Sequence, residues 1–184
     1  MINKSFFPLL IMLFGALLMP ACSQKQVVLE DVNEYGLQPN VYTYKNIPVY
    51  YARNKIKLTK KLTIYIEGDG RPWITRKRVS ADPTPSNSLV LKLMQKDNNP
   101  AVYLARPCMY TQTSFCENYY WTEGRHHPKL VAAMNATLDY IKQLYDVSAF
   151  EFVGHSGGGA MAVLMAADRS DVKRITTIAG NLDI

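Results

Sequence analysis

The chain has 184 residues, of which 48% are hydrophobic and 20% are charged, and its formal net charge is +6. This length is sufficient for one domain with a hydrophobic core, and no low-complexity tract or internal repeat is present. The lysines and arginines do not interleave with aromatic residues as in nucleic-acid-binding patches, so nucleic acid is not expected as a partner.

The N-terminus has the features of an export signal. The apolar run from Phe6 to Met19 is too short for a stable membrane span, and a polar stretch follows it closely. Met19 is too large for the −3 position that the general signal peptidase recognises. The Ala21-Cys22 junction instead resembles the lipobox of bacterial lipoproteins, which implies a signal peptide over residues 1–21 and lipidation of Cys22. The alternatives are a soluble exported protein or an uncleaved anchor.

Lipidation of Cys22 would attach the protein to a membrane. Each buried CH₂ group contributes about 0.8 kcal/mol, so several fatty acyl chains would hold the protein firmly on a bilayer. Ser23 after the cysteine favours outer-membrane sorting in a host with two membranes. We therefore expect an exported, membrane-anchored lipoprotein at the periplasmic face of the outer membrane or at the cell surface. The polar residues 22–40 are predicted to be a tether.

From residue 41 onward, the sequence patterns predict strands and helices. Residues 41–51 are rich in valine and tyrosine and are predicted to form a hairpin-like pair of strands around Asn46-Ile47-Pro48. Further strands are predicted at 60–66, 100–105, 148–153 and 172–179. Helices are predicted at 88–96, 128–145 and 160–167.

The most informative stretch runs from Phe150 to Gly159 and reads as a strand, a tight turn and the start of a helix. Its turn contains Gly154-His155-Ser156-Gly157-Gly158, which fits the pattern G-x-S-x-G. Such glycines are required where a Cβ would collide with the crossing strand and helix. The alternative is a glycine-rich turn that only joins strand to helix. A phosphate-binding loop is disfavoured because no lysine follows the glycines.

On these residues the chain resembles the α/β-hydrolase superfamily. The resemblance implies an α/β fold with a mostly parallel sheet and helices on both faces, and Ser156 as a nucleophile on a strand-to-helix elbow. A second pattern extends the resemblance: Arg106-Pro107-Cys108, then Cys116, then Trp121-Thr122-x-x-Arg125. This pattern is similar to one group of secreted or lipid-anchored members of the superfamily.

The loop after the strand at 60–66 reads Glu67-Gly68-Asp69-Gly70, where superfamily members often carry a His-Gly-x-Gly-like sequence. Glu67 stands at the histidine position, and the two glycines allow bare backbone to approach a substrate oxygen. The resemblance implies an oxyanion hole formed by the amides of Asp69 and Gly157. The alternative is an ordinary turn. The cations that follow, Arg71 and residues 76–78, are interpreted as a solvated face or, less favoured, as contacts to an anionic substrate group.

Two cysteines remain once Cys22 is assigned to lipid. Cys108 and Cys116 are eight positions apart, and an even pair in an oxidising compartment predicts a disulfide. On the chain-entropy model this bridge would stabilise the loop by roughly 2–3 kcal/mol. The alternative is two free, buried cysteines. His126 and His127 are interpreted as loop residues at a helix start, and neither a metal site nor a cofactor is expected.

The superfamily orders its catalytic residues as serine, acid and histidine along the chain. After Ser156 the sequence contains Asp168, Asp171 and Asp183 but no histidine. The first two are expected at the far end of the nucleophile helix, and His155 is expected to point away from Ser156. We therefore interpret residues 41–184 as a partial, C-terminally incomplete domain with impaired activity.

Together these patterns favour a serine hydrolase of the esterase, lipase or peptidase type, acting on a small-molecule or acyl substrate. The alternative is a non-catalytic, lipid-anchored binding protein with a hydrolase-like fold. A nucleotide-binding α/β protein is a third and weaker interpretation.

Overall fold

The computed structural model describes residues 24–55 and 59–183. The predicted signal peptide and Cys22 lie outside the described residues. The strands are β1 (Gln38–Tyr44), β2 (Ile47–Arg53), β3 (Lys61–Ile66), β4 (Trp73–Thr75), β5 (Arg78–Val79), β6 (Ala101–Leu104), β7 (Ala149–His155) and β8 (Val172–Ile178). The helices are α1 (Gln24–Glu34), α2 (Leu89–Gln95), α3 (Pro128–Tyr145) and α4 (Gly157–Ala167), with a 3₁₀ turn at Asn118–Trp121.

Six strands form one mixed sheet in the order β1-β2-β6-β3-β7-β8. The first two strands form an antiparallel hairpin, and Lys45 and Asn46 at its turn both have positive φ, as a tight two-residue hairpin turn requires. Strands β6, β3, β7 and β8 run parallel. Because parallel strands end at the same edge, the loops that follow β3, β6 and β7 meet there. The predicted mostly parallel sheet is confirmed.

Helices cover both faces of the sheet, as predicted. Alternate residues of β2 separate the two layers, since Val49 and Tyr51 face one core while Tyr50 and Ala52 face the other. The first core contains the apolar faces of α3 and α4, and the second contains those of α1 and α2. Buried apolar residues on both faces of the central strands explain why these strands read as nearly continuous apolar runs.

The segment predicted as a tether is ordered. Residues 24–34 form α1, and Val28 and Val32, one helical turn apart, are fully buried in the second core. Gly36, which has φ 63°, follows the end of this helix, and the Leu37 amide donates a hydrogen bond to the Val32 carbonyl before β1 begins. The structure therefore replaces the predicted tether with a packed helix and strand over residues 24–40. Leu29 packs against the same core and Leu37 is buried in it, so a few apolar side chains dock a segment that is mostly polar.

Strand β8 lies at the edge of the sheet beside β7, and most of its residues are exposed. None of the helices in the described part of the chain is both long and apolar enough to cross a membrane.

Candidate active site

Ser156 lies between the end of β7 and the first residue of α4, where the sequence predicts a strand-to-helix elbow. Its backbone angles are φ 52° and ψ −125°, in a region that residues with side chains seldom occupy. The strain is held in place because the Ser156 amide donates to the Ile178 carbonyl at 2.9 Å and the Ser156 carbonyl accepts from Gly159. Ser156 itself is half-buried at the tip of this turn.

The glycines around Ser156 are required by crowding of the backbone. A Cβ on Gly154 would collide with the backbone of Gly158, and a Cβ on Gly158 would collide with the carbonyls of Ile66 and Glu67. Strand β7 and helix α4 therefore pass each other, and the loop after β3, more closely than side chains allow. The alternative of a turn that merely joins strand to helix does not require this crowding.

The loop after β3 lies directly against the elbow. A Cβ on Gly68 would come within 3.5 Å of the Ser156 Cβ, and a Cβ on Gly157 would collide with the Asp69 carboxylate. The Gly68 amide donates to its neighbour, the Glu67 side chain, at 2.8 Å, so this amide is not available to a substrate. The structure thus brings together the three predicted residues Ser156, Asp69 and Gly157.

Glu67 anchors this loop from inside the protein. Its carboxyl group, 3% exposed, accepts the Tyr103 hydroxyl at 2.7 Å as well as the Gly68 amide. The Tyr110 hydroxyl lies 2.9 Å from that of Tyr103. Burial, and after it the charge of Glu67, raises the pKa of Tyr103 well above its ordinary value, so this hydroxyl remains a donor. The residue at the superfamily's histidine position therefore connects the loop to buried tyrosines.

Two arginines hold the loop from the other side. Arg106, which follows β6 and is 4% exposed, donates to Asp69 Oδ1 at 2.9 Å and also to the Arg125 carbonyl. The Arg125 Nε lies 3.7 Å from Asp69 Oδ2. Burial lowers the pKa of Arg106, and the charge of Asp69 opposes this shift. Arg106 and Arg125 are the arginines of the second sequence pattern, but the pattern gave no sign that they share a carboxylate.

The long loop between β6 and α3 carries both arginines and is fastened at further points. Cys108 and Cys116 form the predicted disulfide, with their Cα atoms 5.7 Å apart. The indole of Trp121 donates to the Ser80 carbonyl at 3.0 Å. The loop therefore contacts both the 67–69 segment and the residues that follow it.

The three histidines have different environments. His127 caps α3, since its Nδ1 accepts the Lys129 amide at 3.1 Å. His155 lies against Gly68, with its Nδ1 3.4 Å from a Cβ placed on that glycine. His126 is half-buried, and its enclosed Nε2 has no partner within the described ranges. Burial, followed by the charges of Arg106 and Arg125, lowers the pKa of His126, while Asp69 raises it.

Asp168 and Asp171 lie beyond the far end of α4. Asp168 follows the last residue of α4, whose 11 residues separate it from Ser156 by about 16 Å. Asp171 pairs with Arg169 at 2.9 Å and with Lys142. Within residues 24–55 and 59–183, no cluster of histidine, cysteine and acidic residues could hold a metal ion. The interpretation that neither Asp168 nor Asp171 serves the serine is consistent with these positions.

Comparison with solved structures shows the same fold in hydrolases. The chain superposes on a lipase candidate from Acinetobacter baumannii with a TM-score of 0.53 and 15% identity, covering 86% of this chain and 46% of that one. An α/β serine hydrolase homologue from Coxiella burnetii gives 0.53 and 12%, covering 79% and 64%. An esterase from Pyrococcus furiosus gives 0.56 and 10%, covering 80% and 52%. The chain thus spans about half the length of these proteins.

Comparison with curated proteins gives no significant match to the sequence. The family model described as lipase (class 3), however, matches residues 84–177, a segment that includes the 105–127 loop, Ser156 and α4. This match covers more than half of the 184 residues, and the strand-to-helix elbow and mostly parallel sheet agree with it. The chain therefore belongs to the class 3 lipase family, within the α/β-hydrolase superfamily.

Proposed function

We propose that this protein is a serine hydrolase that cleaves an ester bond of an acyl substrate, with Ser156 as its nucleophile. The observation that carries the proposal is the backbone of Ser156, which has φ 52° at the start of a helix whose first residue adjoins Asp69. A strained serine with a glycine loop beside it is the arrangement that acyl transfer requires.

In the proposed reaction, the Ser156 oxygen attacks the substrate carbonyl carbon and a base accepts the hydroxyl proton. The negative charge on the carbonyl oxygen would be stabilised by the amides of Asp69 and Gly157. The Gly157 amide is the first of α4, where a backbone amide lacks an intrahelical acceptor, and a helix N-terminus favours negative charge. The alcohol then leaves with a proton, and water cleaves the acyl-serine ester to release the acid.

The proposed activity depends on which group accepts the proton of the Ser156 hydroxyl. All three histidines of the sequence precede Ser156, and His127 is already engaged as a helix cap. His126 is the better candidate because its enclosed Nε2 has no partner in the part of the chain that the structure describes, and burial lowers its pKa. Serine without a paired base is a weak nucleophile, so we propose that turnover by the 184 residues alone is slow.

The test is labelling with a fluorophosphonate, which reacts with activated serines, alongside hydrolysis of a p-nitrophenyl ester. We expect slow labelling of the wild-type chain and none of Ser156→Ala. His126→Gln should lower the rate further, while His127→Asn, which retains a cap, should not. Labelling that persists in Ser156→Ala would contradict the assignment of the nucleophile.

A non-catalytic binding protein with this fold is the second candidate, because Asp168 and Asp171 lie beyond the far end of α4 and cannot reach Ser156. A folded chain that never labels at Ser156, even at high probe concentration, would favour it. Attachment to a membrane through Cys22 is proposed for either function. Labelled fatty acid that enters the wild type but not Cys22→Ser is the corresponding measurement.

A further inference from the structure

The hairpin formed by β4 and β5 exposes apolar and cationic side chains together. Trp73 is 40% exposed and Ile74 is 37% exposed, although both are large and apolar. Four exposed cations lie on the same hairpin and its approach: Arg71, Arg76, Lys77 and Arg78. Within the described residues, none of the four forms a salt bridge, while cations elsewhere, such as Arg106 and Arg169, are paired.

The hairpin is held firmly at its base. The Arg71 amide donates to the Pro83 carbonyl at 2.8 Å, and the Ser80 amide donates to the Pro72 carbonyl at 2.9 Å. The Trp121 indole also binds Ser80 through its carbonyl. Trp73 pairs with Val79 at the fixed end of the hairpin, and Arg76 and Lys77 form its turn. The hairpin differs from a solvated charged loop, because the protein orders it without covering Trp73.

The hairpin is also close to the candidate site. Asp69 contacts Gly157, and Trp73 follows Asp69 by four residues. An extended chain advances at most about 3.6 Å per residue, so the Trp73 Cα lies within about 14 Å of the Asp69 Cα. The hairpin is therefore close in space to the loop that adjoins the Ser156 elbow.

We propose that the β4–β5 hairpin docks on an anionic lipid bilayer and holds the Ser156 site against it. Tryptophan and isoleucine would enter the headgroup boundary, where an indole is favoured, and the unpaired cations would face lipid phosphates. Because the hairpin and its approach are cationic, the proposed partner is a bilayer that contains acidic lipids. Delivery of a lipid ester to Ser156 rests on the proposed function, whereas docking itself does not.

Quenching of tryptophan fluorescence by brominated lipids tests the docking. The sequence has two tryptophans, and Trp121 is buried, so quenching reports on Trp73. The full chain carrying Cys22→Ser, which cannot be lipidated, is mixed with brominated phosphatidylcholine vesicles, with or without phosphatidylglycerol. We expect quenching only with phosphatidylglycerol, weakened by salt, and none in Trp73→Phe.

Matched variants identify the cations responsible. Arg76→Gln with Lys77→Gln should weaken vesicle binding roughly 30-fold, since each cation near an acidic surface contributes about fivefold. Lys92→Gln with Lys96→Gln, an equal charge change on exposed residues around α2, should alter binding less than twofold. Leu89→Ala, which truncates a residue as exposed as Trp73, should leave binding unchanged.

Equal quenching on neutral vesicles, no quenching, or equal weakening by both double variants would overturn the proposal. Quenching by a single-stranded oligonucleotide but not by vesicles would assign the hairpin to nucleic acid and overturn it as well. Fluorophosphonate labelling of Ser156 in the same samples, without vesicles, tests the proposed hydrolase separately.

Discussion

At the scale of single residues, Glu67 determines which amides of the loop after β3 are available. Its side chain accepts from the Gly68 amide, so the proposed reaction uses the next amide along the chain, that of Asp69, for the oxyanion. The same carboxyl group accepts the hydroxyl of Tyr103 in the core. Glu67 is thus a positioning residue in the proposed reaction, because it acts on substrate through the backbone of its neighbours.

Replacement of Glu67 should affect the reactivity of Ser156 more than the fold. We expect the labelling rate of Glu67→Gln with fluorophosphonate to be within a few fold of the wild-type rate, because the glutamine amide oxygen can still accept from Gly68. Glu67→Ala should label at least tenfold more slowly, since loss of one oxyanion donor costs about 10²–10³ in rate when complete. Urea titration first shows that each variant is folded in the buffer used, and its labelling rate is then measured in that buffer.

A hydroxyl deletion elsewhere provides the control. Tyr65→Phe also removes a tyrosine hydroxyl that donates to a carboxylate, that of Asp97 at 3.0 Å, but this pair involves no residue of the 67–69 loop. It should leave labelling unchanged, whereas Tyr103→Phe should slow it. Wild-type labelling by a folded Glu67→Ala variant would show that this side chain does not position the loop.

At the scale of elements, the loop between β6 and α3 connects the segments around the site. Its disulfide closes a short ring that begins at the buried Cys108, beside Arg106. We expect Cys116→Ser to lower the free energy of unfolding by about 2–3 kcal/mol, because the unfolded chain gains the freedom that the bridge removes. Urea unfolding of the two proteins measures the difference.

Reduction of the wild type gives an independent check on this loop. Dithiothreitol should destabilise the wild type by a similar amount and leave Cys116→Ser unchanged. If the reduced and oxidised wild-type proteins unfold at the same urea concentration, the bridge does not stabilise this loop.

At the scale of the whole molecule, the sheet has an exposed strand. One side of β8 pairs with β7, most β8 residues are exposed, and Ile175 is 38% exposed. Parallel sheets are normally covered on both faces, and an unprotected edge strand can pair with another copy of the chain. We expect the 184-residue chain to self-associate with increasing concentration, as measured by sedimentation velocity.

A charge at the edge should reduce this association. Ile175→Lys places a charge on β8 and should shift the protein towards monomer. Leu144→Lys, at an exposed apolar position on α3, is the matched control and should have little effect. Association that both variants reduce equally would point to general surface hydrophobicity rather than to the strand edge.

Much of the fold could be predicted from the sequence, because the hydrophobic patterns and the turn residues indicate the same elements. The β1–β2 hairpin, helix α2 and the long amphipathic α3 were predicted close to their observed bounds. Helix α1 was missed because its apolar residues stand among many polar ones, and the surface that buries Val28 and Val32 comes from residues distant in sequence. The apolar face of such a helix can be recognised only when the surface that it packs against is known.

The sequence by itself determined the strand-to-helix turn at Ser156, because its glycines indicate a turn too tight for side chains. A Cβ on Gly154 would collide with the backbone of Gly158 in the same segment. It also predicted the Cys108–Cys116 disulfide, because these two cysteines remain once Cys22 is assigned to lipid. Only the tertiary structure decided the contacts of Glu67, Asp69 and Arg106. Those contacts join loops from three strands, and their geometry depends on sheet order, which no local pattern specifies.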